Sequence, residues 1–165
     1  MDILERLLDH DLWATEQVLA KAGTLTGEQL DTEFDIGHRT VRETIDHIIE
    51  AREGWTALMT GTRPPEHPDD RPIAYQQQRF ARAHEAFATV ARRIRDEGRL
   101  DNTFRDRYDI EATYGSAILM NIFHSEGHRN EAVHMLTRLG FPADDLEFDY
   151  GLWDFVRRGM FQPGG

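Results

Sequence analysis

Two histidines, His124 and His128, stand four residues apart in the stretch Asn121-Ile122-Phe123-His124-Ser125-Glu126-Gly127-His128-Arg129. The apolar residues around them recur at helical spacing, and on a helix an i, i+4 pair projects from one face, so both imidazoles can reach one point. A third histidine, His47, sits within the apolar stripe of an earlier segment, Thr40-Val41-Arg42-Glu43-Thr44-Ile45-Asp46-His47-Ile48-Ile49. If the two segments face each other in a bundle, three neutral imidazoles converge and can hold a divalent metal with one position open for chemistry. An i, i+4 pair alone is more often solvated than ligating, and a lone histidine on an apolar face is more often a hydrogen-bonded core residue. A buried third partner shifts that balance toward a metal.

Glu131 is the candidate catalytic residue. At about 100° per residue it returns to within about 20° of His124 and lies about one turn beyond His128. From there it can serve as a fourth ligand, as an acceptor that fixes an imidazole tautomer, or as a general base toward a water. An arginine-paired carboxylate at the bundle edge fits the position equally well. Asn121, one turn before His124, is a weaker candidate. Of the remaining histidines, His38 and His67 fall in loop-like sequence, His10 is on the polar side of its helix, and His134 is turned away. Only His84 competes as an additional pocket residue.

Other chemistries are excluded residue by residue. A HExxH zinc site needs Glu directly after the first histidine, where this chain has Ser125, and Glu126 points about 160° away. A carboxylate-bridged di-iron bundle needs Glu-x-x-His pairs on two helices plus further inward glutamates, and the second and fourth segments do not supply both. There is neither a nucleophile elbow nor a Gly-rich phosphate loop. The chain has no cysteine, so thiolate catalysis, disulfides and Cys-based zinc sites drop out.

Four amphipathic segments must position these residues. The first, about 2–22, carries Leu4, Leu8, Leu12, Thr15 and Leu19 and stops at Gly23, with Trp13 opposite Leu4. The second, about 40–60, carries Val41, Ile45, Ile48, Trp55 and Met59 and ends at Gly61. A Pro- and Asp-rich crossover loop, 62–71, leads to the third, about 73–97, with Phe80, Ala83, Phe87, Val90 and Ile94. Residues 99–114 read as a loop or a short extended piece. The fourth helix, about 115–139, ends at Gly140 and Pro142. The tail 144–161 keeps Leu146, Phe148, Tyr150, Leu152, Trp153, Phe155 and Val156, too apolar to hang in water, and is expected to dock on the bundle or on a partner. With no strand pattern, the reading is an all-α four-helix bundle with an apolar C-terminal extension, one domain over 1–165.

The 165 residues suffice for a real core. A formal net charge of −11 argues against nucleic acid, because displacing counterions from phosphates needs clustered cations. The 19 basic residues, nearly all arginine, read as solvated pairs along helix faces. The first residues lack the basic and apolar regions of a secretory leader, and no run is long enough to span a membrane, so a cytoplasmic protein is expected. Trp13 off its stripe and the apolar tail predict a homodimer.

The order Trp13, Thr40 to Ile48, Trp55, Asn121 to Arg129, then Leu139-Gly140-Phe141-Pro142 resembles the DinB/YfiT-like superfamily, the damage-inducible bundle family, over nearly the whole chain. The resemblance implies a four-helix bundle, often dimeric, with one divalent metal such as zinc, nickel or manganese on three histidines, which map here to His47, His124 and His128. Members of that family include thiol S-transferases that use bacillithiol or mycothiol, a mycothiol-dependent isomerase, and others described as metal-dependent hydrolases or stress-induced proteins. Where the family often reads His-Arg-Gly-Gln, this chain reads His128-Arg129-Asn130-Glu131. That exchange of an amide for a carboxylate leaves the substrate and the charge of the site open. The expectation is a metal-dependent enzyme that activates a thiol or a water toward a small-molecule substrate. The alternative is a non-catalytic, stress-related dimeric bundle with a structural metal.

Overall fold

Each long apolar stripe forms a helix, and three of the four begin at a side chain able to occupy an orphan backbone N–H. Asp2 accepts from Glu5, Thr40 from Glu43 and Thr113 from Ser116. The computed structural model describes residues 1–106, 108–141 and 149–160. The four long helices are α1 (Ile3–Ala22), α3 (Val41–Thr60), α4 (Ile73–Asp96) and α5 (Tyr114–Arg138). They match the predicted segments to within a residue or so at each end. Gly61 closes α3 in the left-handed region at φ 68°, as a C-terminal glycine should.

Three small elements lie between or after them. Thr26 and Gln29 form a reciprocal capping box around α2 (Gly27–Leu30). A hairpin of β1 (Thr103–Arg105) and β2 (Glu111–Thr113) gives the segment before α5 an antiparallel form, with Phe104 opposite Ala112. Helix α6 (Tyr150–Arg157) is the described part of the tail, while Pro142, Leu146, Phe148 and Phe161 lie outside the described residues. It docks on α1: Trp153 is buried, the His10 ring lies 5.8 Å from that of Trp153 and 6.0 Å from that of Trp13, and Arg6 donates to the Tyr150 hydroxyl at 3.0 Å. Trp13 is half-buried and packs its ring near that of His10 on the same helix. No helix among the described residues is long and apolar enough to cross a membrane.

The long helices form a ring in which α1 touches α4 and α5, and α3 touches the same two. Two apolar clusters fill it. One contains Val18, Leu19, Ile45, Ile49, Phe80, Met135 and Leu136, the other Leu8, Met59, Phe87, Ile94, Ile118 and Ile122. Between them, on each of the four long helices, comes a buried polar residue: Asp11 on α1, Arg52 on α3, His84 on α4, and Asn121, Ser125 and Arg129 on α5.

This layer corrects the expectation that the arginines are solvated. Arg52 and Arg129 are 0% and 2% exposed in their side chains, and each meets one oxygen of Asp11 at 2.6 Å. Arg52 also donates to Asn121 Oδ1 at 3.2 Å, Ser125 Oγ at 2.8 Å and His84 Nδ1 at 2.7 Å. His84 is accordingly a core acceptor and not a pocket residue. Burial first, and then the Arg52 charge, push it down to about 4, so it stays neutral beside the guanidinium.

Removing one member of a buried charge cluster strands the others, which costs about 3–5 kcal/mol. Asp11→Ala is therefore expected to lower the unfolding free energy by roughly that amount, read from a urea titration with unchanged m-value. A loss below about 1 kcal/mol would show that the two guanidinium groups do not depend on Asp11.

Candidate metal centre

Helices α3 and α5 run antiparallel, because Thr44 faces Met135 (Oγ1 to Sδ 3.9 Å) while Arg52 faces Asn121 and Ser125. His47 lies between these two levels and meets His124 and His128 across the seam. The Nε2 atoms of His47 and His124 are 2.9 Å apart, and ring centroids lie 4.7 Å from His47 to His128 and 4.4 Å from His124 to His128. All three rings are half-buried. The structure thus brings together the three imidazoles expected from the sequence.

It also adds a fourth. The segment before α3 folds into a tight turn in which Phe34 donates its N–H to the Arg39 carbonyl and Arg39 to the Ile36 carbonyl. Gly37 and Arg39, at φ 50° and 71°, flank His38 in the left-handed region. This turn stacks the His38 ring on His47 with centroids 3.8 Å apart. His38, His47 and His128 each offer a nitrogen within 4.8 Å of the others. Sequence reasoning placed His38 in a loop and passed over it. The available signal was its position two residues before the cap Thr40, which keeps it at the mouth of the seam, together with a turn-forming glycine beside it.

Glu131 reaches this cluster through His128, accepting a hydrogen bond from Nδ1 at 2.8 Å. An ionised carboxylate can only accept, so Nδ1 carries the hydrogen and Nε2 keeps its lone pair. Gly37 is required for the same contact, because a Cβ there would overlap the Glu131 carboxylate. Burial first, then the neighbouring rings of His38, His128 and His124, push His47 down to about 4. Near neutral pH it is an uncharged donor.

These features fit a divalent ion. Neutral imidazoles suit zinc and nickel, and two nitrogens on one tetrahedral zinc lie about 3.3 Å apart at bond lengths of about 2.0–2.1 Å. The 2.9 Å between His47 and His124 needs only a small opening to reach that spacing. The carboxylate behind His128 is the arrangement that orients and strengthens a metal-binding imidazole.

Two depressions flank His47. One, of about 370 Å³, runs along α3 past Ala51, Gly54, Trp55 and Leu58 and includes His124. The other is polar and lined by His38, Arg39, Glu43, Asp46, Glu50 and Arg71. Arg71 holds Asp46 at 2.6 Å and Glu50 at 3.1 Å. His67, also placed in a loop by sequence, stands apart from the cluster and bridges Glu53 and Tyr75 at 2.9 Å each.

A search of curated proteins finds no match to the chain. The family model of the DinB superfamily, however, matches residues 11–132, which takes in most of α1, all of α3 and α4, and α5 through His124, His128 and Glu131. With more than half its length matched and a helical bundle carrying histidines at one seam, the chain belongs to the DinB superfamily.

Proposed function

We propose that this protein is a metal-dependent enzyme that binds one divalent ion through His47, His124 and His128 and acts on a small molecule. The observation that carries this reading is the meeting of imidazoles from two helices, with His47 Nε2 2.9 Å from His124 Nε2 and the His128 ring 4.7 and 4.4 Å from those of His47 and His124, beside a cavity that contacts His47 and His124. When bound, the ion would act as a Lewis acid and lower the pKa of a thiol or a water at an open position. Zinc, nickel and manganese are the candidate ions. His47, held neutral, would donate a lone pair without prior deprotonation, and Glu131 would hold His128 in the Nδ1–H tautomer. The two depressions on either side of His47 favour transfer between two substrates over hydrolysis. A thiol partner would have to be a separate molecule such as bacillithiol or mycothiol, because the chain has no cysteine.

His38 favours a second reading, a structural metal in a non-catalytic bundle, since a fourth imidazole would close a tetrahedral site. Elemental analysis and X-ray absorption on the purified chain separate the two. The enzyme reading expects one ion per chain with three nitrogen ligands and a solvent ligand, lost in His47→Ala and His128→Ala but retained in His38→Ala. Four nitrogens, with the ion lost from His38→Ala, would establish the structural role.

The link from Gly37 through Glu131 to His128 gives a further expectation. Glu131→Gln should retain the fold but weaken zinc affinity by about 10- to 100-fold, the usual effect of removing an outer partner of a ligand histidine. Gly37→Ala should do the same by displacing the carboxylate. Competition with a chromogenic chelator measures both. Unchanged affinity with activity reduced by roughly 10² to 10⁴ in Glu131→Gln would make Glu131 a general base instead.

The proposal includes a homodimer. With Trp153 buried and Trp13 half-buried within the chain, its support moves to Leu119, Met120 and Phe123, which are 44%, 43% and 58% exposed on α5. Light scattering should give twice the 19.1 kDa of one chain, and Phe123→Glu should reduce it to one.

A further inference from the structure

Gly54 lies in the middle of α3, where glycine weakens a helix because it has the most backbone freedom to lose. Packing does not account for it, since a Cβ added at Gly54 meets nothing within 4 Å. The residue opens instead into the cavity of about 370 Å³ beside the histidines. His47, Ala51, Gly54 and Leu58 recur at helical spacing, so the cavity follows one stripe of α3 for roughly 16 Å. Trp55 and Pro64 add apolar surface to its lining, and His47 and His124 mark one end. Ala51 and Gly54 keep the floor low where larger side chains would fill it.

The charges lining this space are lopsided. Among the described residues, Glu50 is the one ionisable group in the lining besides the two imidazoles, and no lysine or arginine belongs to it. Arg71, which pairs with Glu50, belongs to the polar depression on the other side and is held there by Asp46 as well. Without a bound ion, a ligand carboxylate in the cavity would meet the Glu50 carboxylate and no cation of the described lining, whereas an apolar chain or ring would exchange water for Trp55, Leu58 and Pro64.

We infer that this cavity seats the apolar body of an uncharged or cationic small molecule, with its reacting end toward His47 and His124, and that it discriminates against carboxylate-bearing molecules. The reacting end rests on the metal reading proposed above. The apolar seat does not.

The test uses three probes with one common body, 4-phenylbutanol, 4-phenylbutylamine and 4-phenylbutanoate. Each is titrated calorimetrically into the full chain, once with one equivalent of zinc and once after chelation, so that direct coordination of the carboxylate or amine to zinc is kept apart from binding in the seat. In the chelated protein the alcohol and the amine should bind at least tenfold more tightly than the carboxylate. Gly54→Leu, whose side chain enters open space, should weaken all three by more than tenfold while zinc stoichiometry and helix content stay unchanged. Glu50→Gln should narrow the gap between carboxylate and alcohol. Equal affinity for the three probes in the chelated protein, no measurable binding, or binding indifferent to Gly54→Leu would overturn the inference. Zinc uptake without alcohol binding would remove the seat and spare the metal reading. Alcohol binding without zinc uptake would remove the metal reading and the reacting end that rests on it, and support the seat alone.

Discussion

One carboxylate shared between two buried guanidinium groups sets the register of the bundle. Burial alone would raise the pKa of Asp11, but Arg52 and then Arg129 hold it below the usual carboxylate range. Two cations against one anion leave an excess of positive charge. It is spread over Asn121 and Ser125, over His84 kept neutral, and over the faces of Phe87 and Phe80, 5.0 and 5.5 Å from the Arg52 guanidinium. Replacing such a cluster by apolar residues can be neutral or stabilising, so its contribution is better read as specificity than as stability. Because α1, α3 and α5 each supply a charged member, a slip of any of them would bury an unpaired charge, and a slip of α4 would take the His84 acceptor from Arg52.

That constraint also places the histidine cluster. Arg52 follows His47 by five residues on α3, and on α5 the inward residues Asn121, Ser125 and Arg129 alternate with His124 and His128. Helix α5 therefore presents two adjacent faces, one carrying polar groups into the core and one carrying imidazoles to the seam with α3. Once Arg52 is anchored on Asn121 and Ser125, His47 has no freedom to miss His124. On α5 the half-burial of His124 and His128 beside the fully buried Ser125 and Arg129 follows from an offset of one residue, about 100° on the helix.

Periodicity made the four helices legible, and angle arithmetic placed Glu131 near the histidine pair. The structure shows that carboxylate turned to His128 Nδ1. What escaped the sequence was whatever depends on partners distant in the chain. Arg52 and Arg129 look like surface charges until Asp11 is brought between them. His84, at the edge of an apolar stripe, is drawn inward by Arg52. His38 joins the cluster only because two left-handed residues fold its loop back, a backbone choice that a non-glycine such as Arg39 does not advertise. Hairpin strands and an α2 of three or four residues are too short for either periodicity to register.

The loop that delivers His38 is tied to one side of the centre. Gly37 abuts Glu131, Asp35 pairs with Arg138 at 2.7 Å, and the Arg138 guanidinium lies 4.8 Å from the Phe34 ring. His38, His128 and Glu131 are thereby held together against α5. On the other side, His47 and His124 border the apolar cavity, whose lining also takes in Thr62 and Pro64 of the crossover loop. On the proposed reading this asymmetry assigns the roles: the loop side holds ligand geometry, and the cavity side is where a coordination position can exchange. On that reading a small molecule would approach along α3, past Gly54, toward His47 and His124.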